Sequence, residues 1–165
     1  RTFRDVKEGR EDFTVQTSGE LLATLGTILD IVTAVLAGIA GISLIVGGIG
    51  IMNTMYTSVL ERTNDIGLMK AVGAQNKDIL MLFLMESGLL GLVGGAIGIV
   101  IGVLLGKGVE IIATFALGTA LVQASFPWYL IIGALVFSFV VGSLAGTLPA
   151  IQASHLSPVD ALRRA

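Results

Sequence analysis

Cysteine is absent from the 165 residues. That excludes disulfides, thiolate metal sites and a cysteine nucleophile, and it leaves the redox compartment undetermined. Histidine occurs once, as His155, so neither a histidine-based zinc protease nor a Ser-His-Asp triad can be assembled. Charged residues make up only 13% of the chain, about half the usual quarter. That is too little charge to cover a water-facing shell. The formal net charge of -2 carries no nucleic-acid signal. A nucleotide-binding P-loop is also missing. Its nearest approach ends at Gly106-Lys107-Gly108, with Ile101 where the first glycine belongs and Gly108 where a hydroxyl belongs.

Hydrophobic residues fill 54% of the chain and mean hydropathy is +0.91. Lipid is the expected solvent for much of it. Glycine is abundant at 22 residues against 3 prolines, and its place inside apolar runs fits close contact between membrane helices. Gly47-Gly48-Ile49-Gly50 lies within such a run and lacks the strand-to-helix context of a dinucleotide fingerprint.

The chain opens Arg1-Thr2-Phe3-Arg4-Asp5-Val6 with no apolar segment behind it. This is not a signal peptide, and the sequence is expected to be the later part of a longer chain. Residues 1–16 are polar, with a strand expected at Phe13-Thr14-Val15 to close an exterior domain. Thr17-Ser18-Gly19-Glu20 then reads as a capping box. Leu21, Leu25, Ile28 and Val32 recur at helical spacing, with Thr24, Thr27 and Asp30 off that stripe. Residues 17–33 are therefore expected to form an amphipathic stalk helix. From Ile31 to Leu60 no residue is charged, and a span needs about 20 apolar residues. The first span, 34–56, should continue the stalk without a break.

A second span is expected over 79–106, with Glu86 its only charge, and a third over 128–149, opened by Trp128 and Tyr129 at the lipid–water boundary. The fold class is thus all-α, with three transmembrane helices and short cytoplasmic helices. Arg62, Lys70 and Lys77 lie in the 57–78 loop, and Arg163 and Arg164 in the 150–165 tail; the 107–127 loop has only Lys107. Excess positive charge marks cytoplasmic loops, so the first loop and the tail should be cytoplasmic and the N-terminal end exterior. Residues 107–127 read as an exterior loop, whose apolar run has the length for a short surface helix.

Gly94, Gly98, Gly102 and Gly106 recur every fourth residue on the second span, and Gly91 and Gly95 make another pair. Gly142 and Gly146 repeat the device on the third. Such ladders serve helix packing within a subunit or a dimer interface. Glu86 is expected either to reach the interface or to pair with a cytoplasmic Lys or Arg, and Asn53 to hydrogen-bond between helices. His155 reads as an ordinary surface residue.

The 57–78 loop is the most informative segment. Thr63 or Asn64 can cap a short helix, and Gly73 can stop it. Ile66, Met69 and Val72 share one face. Such a helix either lies on the membrane surface or docks into a groove of a soluble partner. In the tail, Ser157-Pro158-Val159-Asp160 starts another short helix.

Three stretches together resemble the permeases of MacB-type ABC transporters. They are Ile42 to Asn53 running on to Glu61-Arg62-Thr63; Asp65-Ile66-Gly67-Leu68-Met69-Lys70-Ala71-Val72-Gly73-Ala74; and Leu148-Pro149-Ala150 with Leu156 to Arg163. The resemblance covers about Phe13 to the end. It implies four spans per subunit, of which this chain holds the last three. It also implies a dimer with a second copy or a homologue, and an ABC-type ATPase partner that binds ATP and Mg, this chain being noncatalytic and without a cofactor or metal of its own. The setting would be the plasma (inner) membrane, with a possible exterior partner protein and no nucleic acid. Glu61, Arg62, Asp65, Ile66, Leu68, Met69, Val72 and Gly73 would form the coupling helix that seats on the ATPase. The stalk would transmit motion outward, for export of a drug, peptide or toxin. Relatives of the same resemblance extract lipoproteins or regulate cell-wall hydrolases. The sequence departs from the common family pattern at Asn64 and Met69, where arginine is frequent.

Overall fold

The computed structural model describes residues 18–117 and 124–157. The expected strand at Phe13-Thr14-Val15, Thr17 of the capping box and the tail helix beyond Ser157 lie outside them. The described residues form five helices and no strand. These are α1 (Ser18–Glu61), α2 (Thr63–Ala71), α3 (Asn76–Leu117), α4 (Trp128–Ala145) and α5 (Thr147–Ser154). Three of them, α1, α3 and α4, are long and apolar enough to cross a membrane. Helix is the only spanning form open to such segments, because lipid offers backbone amides no partner.

The chain divides into two units, 1–43 and 44–165. In the first, residues 19–43 of α1 are exposed throughout. Leu21, Leu25, Ile28 and Val32 are each about half exposed. The hydroxyls of Thr24, Thr27 and Thr33 donate to the carbonyls four residues back, at 2.8–3.0 Å. That local bond satisfies each hydroxyl without a second helix. With 44 residues, α1 is about twice as long as a span requires, and stalk and span are one helix.

In the second unit, α3 packs against α4 and α5. The α3–α4 seam is made by the absence of side chains. A Cβ on Gly142 would stand 2.6 Å from the Ser87 carbonyl oxygen and 2.8 Å from Gly91 Cα. One on Gly91 would stand 2.9 Å from Gly142 Cα. The seam thus pairs Ser87, Gly91 and Gly95 with Ser138, Gly142 and Gly146, a small residue every fourth position on both helices. The Ser87 and Ser143 hydroxyls both donate to the Leu84 carbonyl, at 3.0 and 3.3 Å.

Gly94, Gly98 and Gly102, expected to serve packing within a subunit or a dimer interface, have open space where a Cβ would be. Gly94 precedes Gly95 by one residue and so lies about 100° round the helix. The contact to α4 runs through Gly88, Gly91 and Gly95 instead.

Two boundaries also differ from expectation. α3 does not end at Gly106 but runs on to Leu117, so its last turns stand where the start of an exterior loop was expected. A Lys107–Glu110 ion pair at 2.8 Å, three residues apart, supports that continuation. Glu110 also accepts from the Ala124 amide at 3.4 Å, drawing the returning chain to α3. The third span stops at Ala145, with Gly146 at the break and Pro149 placed in α5. Pro149 is the third residue of α5, where an amide has no intrahelical acceptor, so the ring costs no bond.

Buried side-chain volume gathers at the α2 end. Met55 and Val59 of α1, Ile66 of α2, Ile79 and Phe83 of α3, and Ala150 and Ala153 of α5 form one cluster. The two alanines let α5 come close enough for Phe83 and Met55 to be fully enclosed.

Candidate functional site

α2 sits between two spans, and each of its ends has a definite closure. At Arg62 the chain turns without a full stop: the Arg62 amide donates to Ser58 O and the Ile66 amide to Arg62 O, both at 3.0 Å. The N-cap position is Arg62, with no side-chain cap. Thr63, expected as a cap, instead turns its hydroxyl back to Val59 O and Leu60 O, both at 2.9 Å. It thereby satisfies carbonyls at the end of α1 that no helical amide reaches. Asn64 is exposed and caps nothing.

The other end closes as the sequence implied. Gly73 has φ 111°, the left-handed conformation that costs glycine least. The Ala74 amide donates to Met69 O and the Gly73 amide to Lys70 O, both at 3.0 Å. This is the Schellman pattern. α3 then starts at Asn76, and the Asp78 carboxylate accepts from the Gln75 amide at 2.9 Å.

The apolar residues of α2 divide between two faces. Ile66 is 0% exposed, at the centre of the buried cluster. This corrects its expected place on a docking face: the side chain is committed inside the chain and anchors α2. Leu68 at 60%, Met69 at 36% and Val72 at 84% exposure remain outside. Glu61 and Asp65 are exposed beside them. α2 is therefore a short rod, fixed on its inner side and apolar on part of its outer side.

Two basic residues hold it further. Arg62 Nη1 lies 3.3 Å from Glu86 Oε1 and 3.5 Å from Oε2, so Glu86 pairs with a residue of the loop. Lys70 Nζ donates to Asn76 Oδ1 at 2.8 Å, to Ser154 O at 2.5 Å and to Leu156 O at 2.8 Å. Sequence reasoning missed Lys70. A lysine in the last turn of a helix is a recognisable signal, but its carbonyl partners are 84 and 86 residues away. Asn53 is exposed, and its amide makes no hydrogen bond to another described helix. His155 is exposed, its amide closing α5 onto Ile151 O and Gln152 O at 3.2 Å. Among the described residues, no group of three His, Asp or Glu could hold a metal ion.

Comparison with known proteins agrees with this architecture. Residues 22–158 match the family described as FtsX-like permease C-terminal. An uncharacterised ABC transporter permease of Methanocaldococcus jannaschii is 46% identical over 94% of this chain and 39% of its own length. The uncharacterised ABC transporter permease YknZ of Bacillus subtilis is 42% identical over 94% of this chain and 38% of its own. The macrolide export ATP-binding/permease protein MacB of Marinobacter nauticus is 43% identical over 94% of this chain and 23% of its own. The chain thus spans well under half the length of these relatives. With three helices fit to span a membrane and a family match across most of its residues, the chain belongs to the FtsX-like ABC transporter permeases, of which it carries the C-terminal domain.

Proposed function

We propose that this domain couples ATP hydrolysis by a partner ATPase to movement on the far side of the plasma membrane, and that α2 is the element seated on the ATPase. The observation that carries the reading is the division of α2's faces. Ile66 fixes the helix from inside, while Leu68, Met69 and Val72 stay exposed. A docking rod needs both properties: a mount that does not yield and an apolar row that a groove can cover. The spread of Lys and Arg favours an orientation with the α2 loop and the tail in the cytoplasm and the N-terminal end outside. ATP and Mg belong to the partner, and two permease copies would pair, each with its ATPase. α1, as one helix from stalk to span, carries displacement outward, because its backbone hydrogen bonds resist compression. The name of the Marinobacter relative joins ATP binding and macrolide export in one protein; it favours export of a drug-like, peptide or toxin cargo here.

The test is co-purification of the complete permease with its ATPase in lipid nanodiscs, comparing wild type with Leu68→Glu and Val72→Glu. A charge inside a desolvated contact should weaken ATPase binding about tenfold or more. Neither side chain is buried in the chain's own core, so both variants should insert normally. Unchanged ATPase binding in both would overturn the assignment of α2.

A further inference from the structure

Lys70 uses its whole donor capacity at one point. A lysine ammonium has three N–H donors, and three oxygens surround this one: Asn76 Oδ1, Ser154 O and Leu156 O. Two of them are main-chain carbonyls at the C-terminal end of α5. There the helix closes on itself through His155 and Leu156, whose amides donate to Ile151 O, Gln152 O and Ala153 O. The next carbonyls, of Ser154 and Leu156, take their hydrogen bonds from Lys70. The negative end of α5 and the positive side chain of α2 thus meet directly. Beside this contact, Ala150 and Ala153 of α5 share the buried cluster with Ile66. The juncture is polar at its rim and apolar at its centre, and both parts join the same two elements.

We propose that Lys70 is a positioning residue that clamps α2 to α5. The inner end of the third span then follows every movement of the α2 loop. Its role in transport rests on the reading of α2 as the coupling helix; the clamp itself does not. Without the clamp, what holds α2 among the described residues would be Ile66, the Arg62–Glu86 pair and its two chain connections. Those connections lead to α1 and α3, and α5 would follow α2 only through the apolar contact of Ala150 and Ala153 with Ile66 and through its packing on α3, so a push on α2 would reach α5 less directly. With the clamp, α5 moves with them. Arginine replaces this lysine only in part, because its donors are spread over a planar fork and do not converge on one site.

The experiment uses the complete permease with its ATPase in nanodiscs. Spin labels are placed at Asn64→Cys on α2 and Gln152→Cys on α5, both exposed. Their separation is read with and without ATP, in wild-type, Lys70→Met and Lys70→Arg backgrounds. The expected wild-type result is one narrow distance that is the same in both nucleotide states. Lys70→Met removes charge-assisted hydrogen bonds and should raise the detached population about tenfold or more, seen as a second or broadened distance. Lys70→Arg should fall between the two and carries the test if Lys70→Met does not insert. ATPase binding should persist in both variants, while ATP-driven movement of the N-terminal end falls. A narrow, unchanged distance in the variants overturns the clamp. If no ATPase binds to wild type, the coupling reading fails by itself, and the nucleotide-free distances still decide the clamp.

Discussion

The α3–α4 seam and the α2 end hold helices together by opposite means. At the seam, two backbones touch because side chains are missing: Gly91 faces Gly142 and Ser87 faces Gly146. At the α2 end, Phe83, Met55, Ile66 and Ile79 fill the space between helices with side-chain volume. Lipid tails are as apolar as leucine, so burying leucine between spans gains little, and close approach with its dispersion contacts is what remains. Nearer the water, removing apolar surface from solvent is worth roughly 25 cal/mol per Å², and large side chains become the better adhesive. One chain thus changes its packing chemistry along its own helices as its surroundings change.

The contrast can be broken from either side. Phe83→Ala should have the largest effect, a loss of about 3–5 kcal/mol in unfolding stability, read by thermal unfolding in nanodiscs. If it costs no more than a surface substitution, the α2 end has no side-chain core. Gly142→Ala should come next, at about 1–3 kcal/mol, since its Cβ meets backbone on Ser87 and Gly91 and no flexible group can yield. Its control sharpens the comparison. Gly98→Ala, with open space at the Cβ, should stay within about 0.5 kcal/mol. Equal losses at the two positions would mean that the seam runs elsewhere.

Gly73→Ala should cost roughly 1–2 kcal/mol. The added methyl meets nothing within 4 Å, so the loss would report backbone conformation alone and should appear as a displaced α2. Apart from the Gly98→Ala control, the smallest effect is expected from Glu86→Gln. Arg62 and Glu86 are partly exposed, and such pairs contribute about 1 kcal/mol or less. A loss well above that would put Glu86 among the main supports of α2.

Much of this was legible in the sequence, and the failures have definite causes. Long apolar runs with at most one charge located all three spanning helices, because lipid tolerates few charges. Gly73 marked the end of α2, since a left-handed residue after a helix favours glycine. The phase of the glycines was not legible. Gly91/Gly95 and Gly94/Gly98/Gly102 have the same spacing, and only the position of α4 chooses between them. The inward turn of Ile66 was hidden for a similar reason. Ile66, Met69 and Val72 share a helical face, yet the cluster that takes up Ile66 comes partly from α5, far along the chain. α3's continuation past Lys107 was obscured because charge suggested an end; an ion pair three residues apart makes the same charges compatible with helix.

α4 has 18 residues, about 27 Å of helix, set against a hydrocarbon layer of about 30 Å. α1 and α3 have 44 and 42 residues and can absorb a thicker or thinner bilayer by tilting or by sliding their surplus turns outward. α4 has no surplus. Its start is fixed by Pro127 and its end by Gly146, and the glycine seam joins it to α3. A thicker bilayer must therefore thin locally around α4, at fractions of a kcal/mol per Å of mismatch. The shortest spanning helix among the described residues is thus the domain's gauge of its membrane, and lipid chain length is a variable to which the whole assembly should respond through it.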